Sequence, residues 1–178
     1  MTHCEAITLL DNPALHHRPT DTPTRWADLG CGTGTFTLAL AHFLSPGSTI
    51  EAIDLAPGIK KQTTPNHITI HPRAADFTKP NLGLENIDGI LMANAIHYVK
   101  DKLTLLQTLH ASLKPGGLFL LVEYDTDIPL PRWVPYPISF TAASHLFTPP
   151  HWQTLQKSTE RPSAFGRSNL YCAFTTKI

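Results

Sequence analysis

Five residues, Gly30-Cys31-Gly32-Thr33-Gly34, constrain this chain more than any other feature. They follow a short apolar run, Trp26-Ala27-Asp28-Leu29, and precede a stretch in which Phe36, Leu40, Phe43 and Leu44 fall on one helical face. A strand that stops on glycines and continues as a helix is the opening of a βα unit. The glycines permit conformations and close approaches that a β-carbon forbids, and the helix N-terminus presents unpaired N–H groups. A ligand with polar or anionic groups is expected there.

The same texture continues downstream. Residues 48–55 read as a second strand, followed by Ala56-Pro57-Gly58 and a lysine-bearing helical stretch that ends at Pro65. Residues 68–71 and 87–93 read as third and fourth strands. Leu103, Leu106, Leu109 and Leu113 mark a helix over residues 101–113. Lys114-Pro115-Gly116-Gly117 then turns into a fifth strand, 118–124. Beyond a proline-rich segment, 128–137, come a helix from Ser139 to about Phe147 and two strands near 154–159 and 170–176, the last with the alternation of an antiparallel edge. Alternating strands and helices predict an α/β fold: a Rossmann-like, doubly wound sheet of about seven strands, mostly parallel, with an antiparallel last strand. Residues 1–24, interrupted by Pro13, Pro19 and Pro23, read as an N-terminal arm holding at most a short helix, and residues 25–178 as one domain.

Composition narrows the functional classes. The 178 residues carry 14 Lys+Arg against 14 Asp+Glu, with no basic run, so an electrostatic nucleic-acid binder is disfavoured. No apolar run approaches the roughly 20 residues that span a bilayer, and no export signal is visible, so the expected address is the cytoplasm and no membrane partner is expected. Three dispersed cysteines, Cys4, Cys31 and Cys172, argue for free thiols. His3, Cys4, His16 and His17 crowd one end without a ligand spacing such as CxxC or HxxxH, and no metal is expected.

Asp54, 24 residues beyond Gly30, closes the second strand where a carboxylate can take both hydroxyls of a ribose. The dinucleotide fingerprint requires a third glycine at its sixth position, where this chain has Thr35, and that weakens a nicotinamide reading. Trp26 to Leu40, WADLGCGTGTFTLAL, resembles motif I of the class I S-adenosylmethionine-dependent methyltransferases, with Asp28 two residues before the first glycine. Ala52-Ile53-Asp54-Leu55 is similar to the family's acidic second-strand motif and Ala75-Asp76-Phe77 to its adenine-binding turn. Ile87 to Tyr98 and Leu113 to Val122 are similar to its fourth-strand and last common motifs.

The resemblance implies S-adenosyl-L-methionine as cofactor and S-adenosyl-L-homocysteine as product. Asp28 would hold the methionine ammonium, and Gly30, Cys31, Gly32, Thr33 and Gly34 would give the cofactor room. Asp54 would clamp the ribose, Asp76 would accept from the adenine amine, Phe77 or Leu55 would cover the ring, and Asn94 would lie near the sulfonium. His97 is the candidate general base for a hydroxyl acceptor. Tyr98, Glu123 and Tyr124 share the carboxyl-end rim. Asp125 and Asp127 suggest metal-dependent relatives, but the fourth strand ends Ala93-Asn94-Ala95 without a carboxylate. Tyr98, Tyr124, Trp133 and Tyr136 are candidates to line the substrate side. The expected reaction is in-line methyl transfer to an O- or N-nucleophile of a small molecule, with a homodimer contact possible through the aromatics. Two other readings stay open at this point: a non-catalytic cofactor-binding module and a nicotinamide-dependent oxidoreductase.

Overall fold

The computed structural model describes residues 1–16, 21–79, 82–163 and 168–178. Its centre is an eight-stranded sheet. The strands are β1 (Arg25–Leu29), β2 (Thr49–Asp54), β3 (Gln62–Thr63), β4 (Thr69–Ala74), β5 (Ile87–Ala93), β6 (Leu113–Tyr124), β7 (Gln156–Pro162) and β8 (Asn169–Thr176). Among the described residues the helices are α1 (His3–Leu10), α2 (Pro13–His16), α3 (Thr35–Ala41), α4 (Lys102–Ser112) and α5 (Phe140–Ser144), with a 3-10 turn at Ile96–Tyr98.

Strand order is β3-β4-β2-β1-β5-β6-β8-β7. From β1 the chain moves outward through β2 to β4, then crosses back to β5 on the other side of β1 and proceeds to β6. These strands pair in parallel, while β8 runs antiparallel to both β6 and β7. The expected antiparallel last strand is therefore present, in a sheet of eight strands rather than seven. The additional strand is β3, two residues long and antiparallel to β4. It occupies the stretch read as a lysine-bearing helix. Pro57, Gly58, Thr63, Thr64 and Pro65 leave too few good helix formers between the breakers, and the chain returns to the sheet edge instead.

Alternation along the central strands sends side chains into two cores. On one side Trp26, Ile50, Leu91, Leu118, Leu120 and Val122 meet α1 and α3 through Leu9, Leu10 and Leu40. On the other, Ala27, Ile90, Met92, Phe119 and Leu121 meet α4 and the segment around Phe147 and Trp152.

The N-terminal residues take part in the first of these cores. A capping box between Thr2 and Glu5 starts α1. Ala6, Leu9 and Leu10 are buried, Glu5 pairs with Arg161 of β7 at 2.8 Å, and Thr159 donates to the Leu9 carbonyl. Tertiary packing thus fixes a helix of only eight residues that is too short to be stable alone. Leu9→Ala is expected to lower unfolding free energy by about 2–4 kcal/mol, as a large-to-small change at a filled core position. Urea denaturation of the two proteins checks this, and a change under 0.5 kcal/mol would mean that the segment packs only loosely.

Among the described residues, no helix is long and apolar enough to cross a membrane, and no group of three or more His, Cys, Asp or Glu is placed to hold a metal ion. His17 lies outside the described residues. Cys4, Cys31 and Cys172 are free.

Candidate functional site

The strand order reverses between β1 and β5, so the loops leaving their carboxyl ends diverge and open a crevice. Gly30 and Asn94 follow directly on those two strands. Gly30 has φ +81°, and a β-carbon there would lie 2.5 Å from the Ala95 β-carbon, so only glycine lets the two loops meet. At Gly34, φ is +85° and an added β-carbon would strike Ile59 at 2.5 Å. Gly34 caps α3 without a side-chain bond, leaving the helix N-terminus bare toward the loop.

A cavity of about 440 Å³ occupies this crevice, lined by Asp28, Gly30, Cys31, Gly32, Thr33 and Asn94 together with Met1, Thr35, Phe36 and Ala93. Two oxygens in its lining are buried without a hydrogen-bond partner, Asp28 Oδ1 and Asn94 Oδ1. Asp28 Oδ2 accepts from the Thr37 hydroxyl at 2.5 Å. Burial, reinforced by the nearby Asp54 charge and only partly offset by the Thr37 bond, pushes the Asp28 carboxyl up to about 7. Asn94 sits at φ +53°, anchored by its N–H to the Val122 carbonyl at 2.9 Å. Such a left-handed position is tolerated by asparagine better than by most residues. Burial also pushes the Cys31 thiol up to about 12, which keeps it a neutral wall of the cavity rather than a nucleophile.

Asp54 holds the loop from the next strand. Its Oδ2 accepts from Gly32 N at 2.9 Å and its Oδ1 from Ala56 N at 3.0 Å, so the carboxylate fixes the glycine turn. Each oxygen keeps a further acceptor site, which leaves room for hydroxyl donors. Leu55 is 74% exposed beside it, a bare apolar side chain at the rim. Ala75 N donates to Asp54 O and carries the turn after β4 to the same edge. The Phe77 ring comes within 3.4 Å of the space a Gly30 β-carbon would take. Asp76 accepts from the N–H and hydroxyl of Thr78, bonds that hold its carboxyl below the usual range.

A second cluster lies past the end of β5. The Ile96–Tyr98 turn buries His97, whose Nδ1 is 2.9 and 2.8 Å from Glu123 Oε1 and Oε2. Glu123 is fully buried near the end of β6 and also accepts from Tyr124 N at 2.8 Å. An ionised carboxylate only accepts, so the ring donates through Nδ1; in that tautomer the unprotonated nitrogen of the neutral ring is Nε2. The rings of Tyr98 and Tyr124 lie 4.4 and 6.2 Å from that of His97. Burial pushes the Tyr124 hydroxyl upward. Tyr136 joins from the proline-rich segment, its N–H donating to His97 O at 2.9 Å. Trp133 is 74% exposed on the turn bridged by Leu130 and Val134, and no ring contact joins it to the His97 cluster among the described residues.

Asp125 and Asp127 have structural work. Asp125 accepts from Phe140 N and pairs with Lys157, and Asp127 accepts from the N–H and hydroxyl of Ser139, so both brace the start of α5.

The methyltransferase domain family matches residues 7–173 of this chain. The chain belongs to that family. This methyltransferase-family chain is 25% identical over 125 residues to a demethylmenaquinone methyltransferase of Lysinibacillus sphaericus, covering 66% of itself and 52% of that relative. It is 33% identical over 120 residues to the secondary metabolism regulator laeA of Aspergillus fumigatus, covering 64% of itself and 30% of that protein. The chain thus spans about half, or less, of the length of these relatives. A Burkholderia thailandensis 1,6-didemethyltoxoflavin-N1-methyltransferase, crystallised with 1,6-didemethyltoxoflavin and S-adenosylhomocysteine, shares the fold at TM-score 0.70 and 20% identity, over 98% of this chain and 77% of that one.

The fold brings Asp28, Gly30, Cys31, Gly32, Thr33 and Asn94 around one cavity and sets Asp54, Leu55, Asp76 and Phe77 at the same edge. His97, Tyr98, Tyr124 and Tyr136 form the adjoining cluster. Two residues of the site that the sequence patterns do not single out are Thr37, the partner of Asp28, and Lys102, which reaches the His97 turn and, 34 residues away, Tyr136. A hydroxyl nine positions after Asp28, on the first turn of α3, is the signal that was available for Thr37.

Proposed function

We propose that this chain is an S-adenosylmethionine-dependent methyltransferase acting on a small planar molecule through a hydroxyl or amine. The observation that carries the reading is the pair of buried, unpartnered acceptors, Asp28 Oδ1 and Asn94 Oδ1, on two residues that line one cavity with the glycine loop. Buried acceptors without donors are costly, and an ammonium group supplies the missing donors. When bound, the cofactor supplies a sulfonium-activated methyl group that passes to the acceptor nucleophile with release of S-adenosylhomocysteine.

The chain's own work is then placement and proton removal. Asp28 and Asn94 hold the amino-acid end, and the Gly30–Gly34 backbone leaves room for the thioether linkage. Asp54 takes the ribose hydroxyls, Asp76 the adenine amine, while Leu55 and Phe77 cover the ring, the exposed leucine thereby losing its contact with water. His97, held in one tautomer by Glu123, takes the acceptor's hydroxyl proton on Nε2 as the carbon–oxygen bond forms. Tyr98 and Tyr136, both partly exposed beside His97, present aromatic faces to a planar acceptor. Two of the similar proteins are named for small organic acceptors, demethylmenaquinone and 1,6-didemethyltoxoflavin, which supports this reading, whereas laeA is named as a regulator.

Incubation with methyl-labelled S-adenosylmethionine and a panel of bicyclic hydroxyarenes and arylamines, 1-naphthol and 1-naphthylamine among them, tests the acceptor class. Label is expected in an organic-extractable product from at least one member. Labelled protein with no labelled small molecule would point to a macromolecular acceptor and overturn the small-molecule assignment.

A further inference from the structure

A lysine opens α4, against the local electrostatics. The N-terminal end of a helix is the positive end of its dipole, and a cation there is disfavoured. Lys102 nevertheless occupies the first position of the helix, after the Asp101 cap. Partial burial lowers the basicity of its ammonium, while the Glu123 charge acts in the opposite sense. A residue kept in a doubly unfavourable place has compensating contacts, and those contacts show its role.

The Lys102 ammonium donates to the carbonyls of Val99 at 2.9 Å and Tyr136 at 2.7 Å, and it lies 5.9 Å from the centre of the Tyr136 ring. Val99 closes the short turn that carries His97, and Tyr136 is the residue whose N–H donates to the His97 carbonyl. One cation therefore ties together the two segments that enclose His97. The groups facing this arrangement are Glu123 and Tyr124 from β6, Tyr98 from the turn itself and Tyr136 from the proline-rich segment. Glu123 is fully buried against the His97 ring.

We propose that Lys102 is a positioning residue of the acceptor site, its ammonium locking the His97 turn to the Tyr136 segment and so holding His97 against the buried Glu123 carboxylate that orients it. This rests on the methyltransferase reading for its functional meaning, and on the contacts alone for its structural content.

The His97 Nδ1–H, buried and bonded to a carboxylate, is expected as a slowly exchanging downfield proton resonance, assigned by its absence from the His97→Gln protein. Lys102→Arg is expected to retain the resonance. Lys102→Met and Lys102→Gln are expected to lose it, the latter keeping an N–H donor without the charge. Affinity for S-adenosylhomocysteine should stay within about threefold, because the cofactor cavity is not touched. With any acceptor found in the panel, Lys102→Met should lower kcat about 10- to 100-fold with a smaller change in KM, and Lys102→Arg should recover most of it. An unchanged resonance in both neutral variants would overturn the proposal, and should Lys102→Met fail to fold, Lys102→Gln decides alone. Failure of the native chain to bind S-adenosylhomocysteine would instead overturn the cofactor reading and leave the resonance test intact.

Discussion

Replacing Asp28 by asparagine is expected to weaken binding of S-adenosylhomocysteine by at least about 30-fold, equivalent to about 2 kcal/mol or more, because it removes one partner of a desolvated charge pair. The same substitution is expected to stabilise the ligand-free protein at high pH. The Asp28 carboxyl, pushed up to about 7 by burial and by Asp54, holds its proton in the native state at pH values where an unfolded chain has already lost it. Between its ordinary range near 3.8 and about 7, the native state binds more protons, so the contribution of Asp28 to stability falls as pH rises through that window. Asparagine does not ionise and removes the fall. Thermal melts should therefore show the Asp28→Asn protein several degrees more stable at pH 8 and indistinguishable from the native chain below pH 4.

Ligand affinity has the opposite pH dependence, since a cationic amino group selects the ionised carboxylate. Native affinity should rise from pH 6 to pH 8 and then level, while that of Asp28→Asn stays flat. Parallel pH dependences in the two proteins would show that Asp28 does not face the ligand. A residue that weakens the empty fold and strengthens the occupied one marks a site built for its ligand rather than for stability.

The second large effect concerns His97. With a hydroxyl acceptor, His97→Gln should lower kcat about 100- to 10,000-fold, the usual contribution of a positioned base, while leaving S-adenosylhomocysteine affinity unchanged. Glu123→Gln should cost less, since it withdraws the orienting carboxylate but keeps the ring. With an arylamine acceptor, whose lone pair is already free, His97→Gln should cost little. Equal losses with both acceptor types would mean that the histidine supports the turn rather than accepting the proton.

How much of this was legible in the sequence follows from the range of the forces involved. The glycine loop, Asp54 at the end of β2 and Asn94 at the end of β5 depend on local chemistry: a strand, a turn that only glycine fits, and a polar residue at the strand terminus. The parallel order and the antiparallel β8 followed from the same alternation. Between Pro57 and Pro65 the lysines suggest a helix, whereas the breakers confine the stretch to a two-residue edge strand. The docking of α1 was hidden because its stability comes from Leu9 and Leu10 against the sheet face, contacts across the length of the chain. The link from Lys102 to Tyr136 spans 34 residues and leaves no mark on the local pattern. Tyr136 was named for its aromatic ring, yet what joins it to His97 is its backbone N–H, which no side-chain pattern reports.

The most direct measurement is isothermal titration of the native chain with S-adenosylhomocysteine at pH 8, with NAD as the competing nucleoside. One site per chain with micromolar affinity, undisturbed by NAD, is the expected result. A folded protein that shows no binding of S-adenosylhomocysteine at millimolar concentration, or that prefers NAD, would contradict the assignment of the crevice between β1 and β5 as a methyl-donor site.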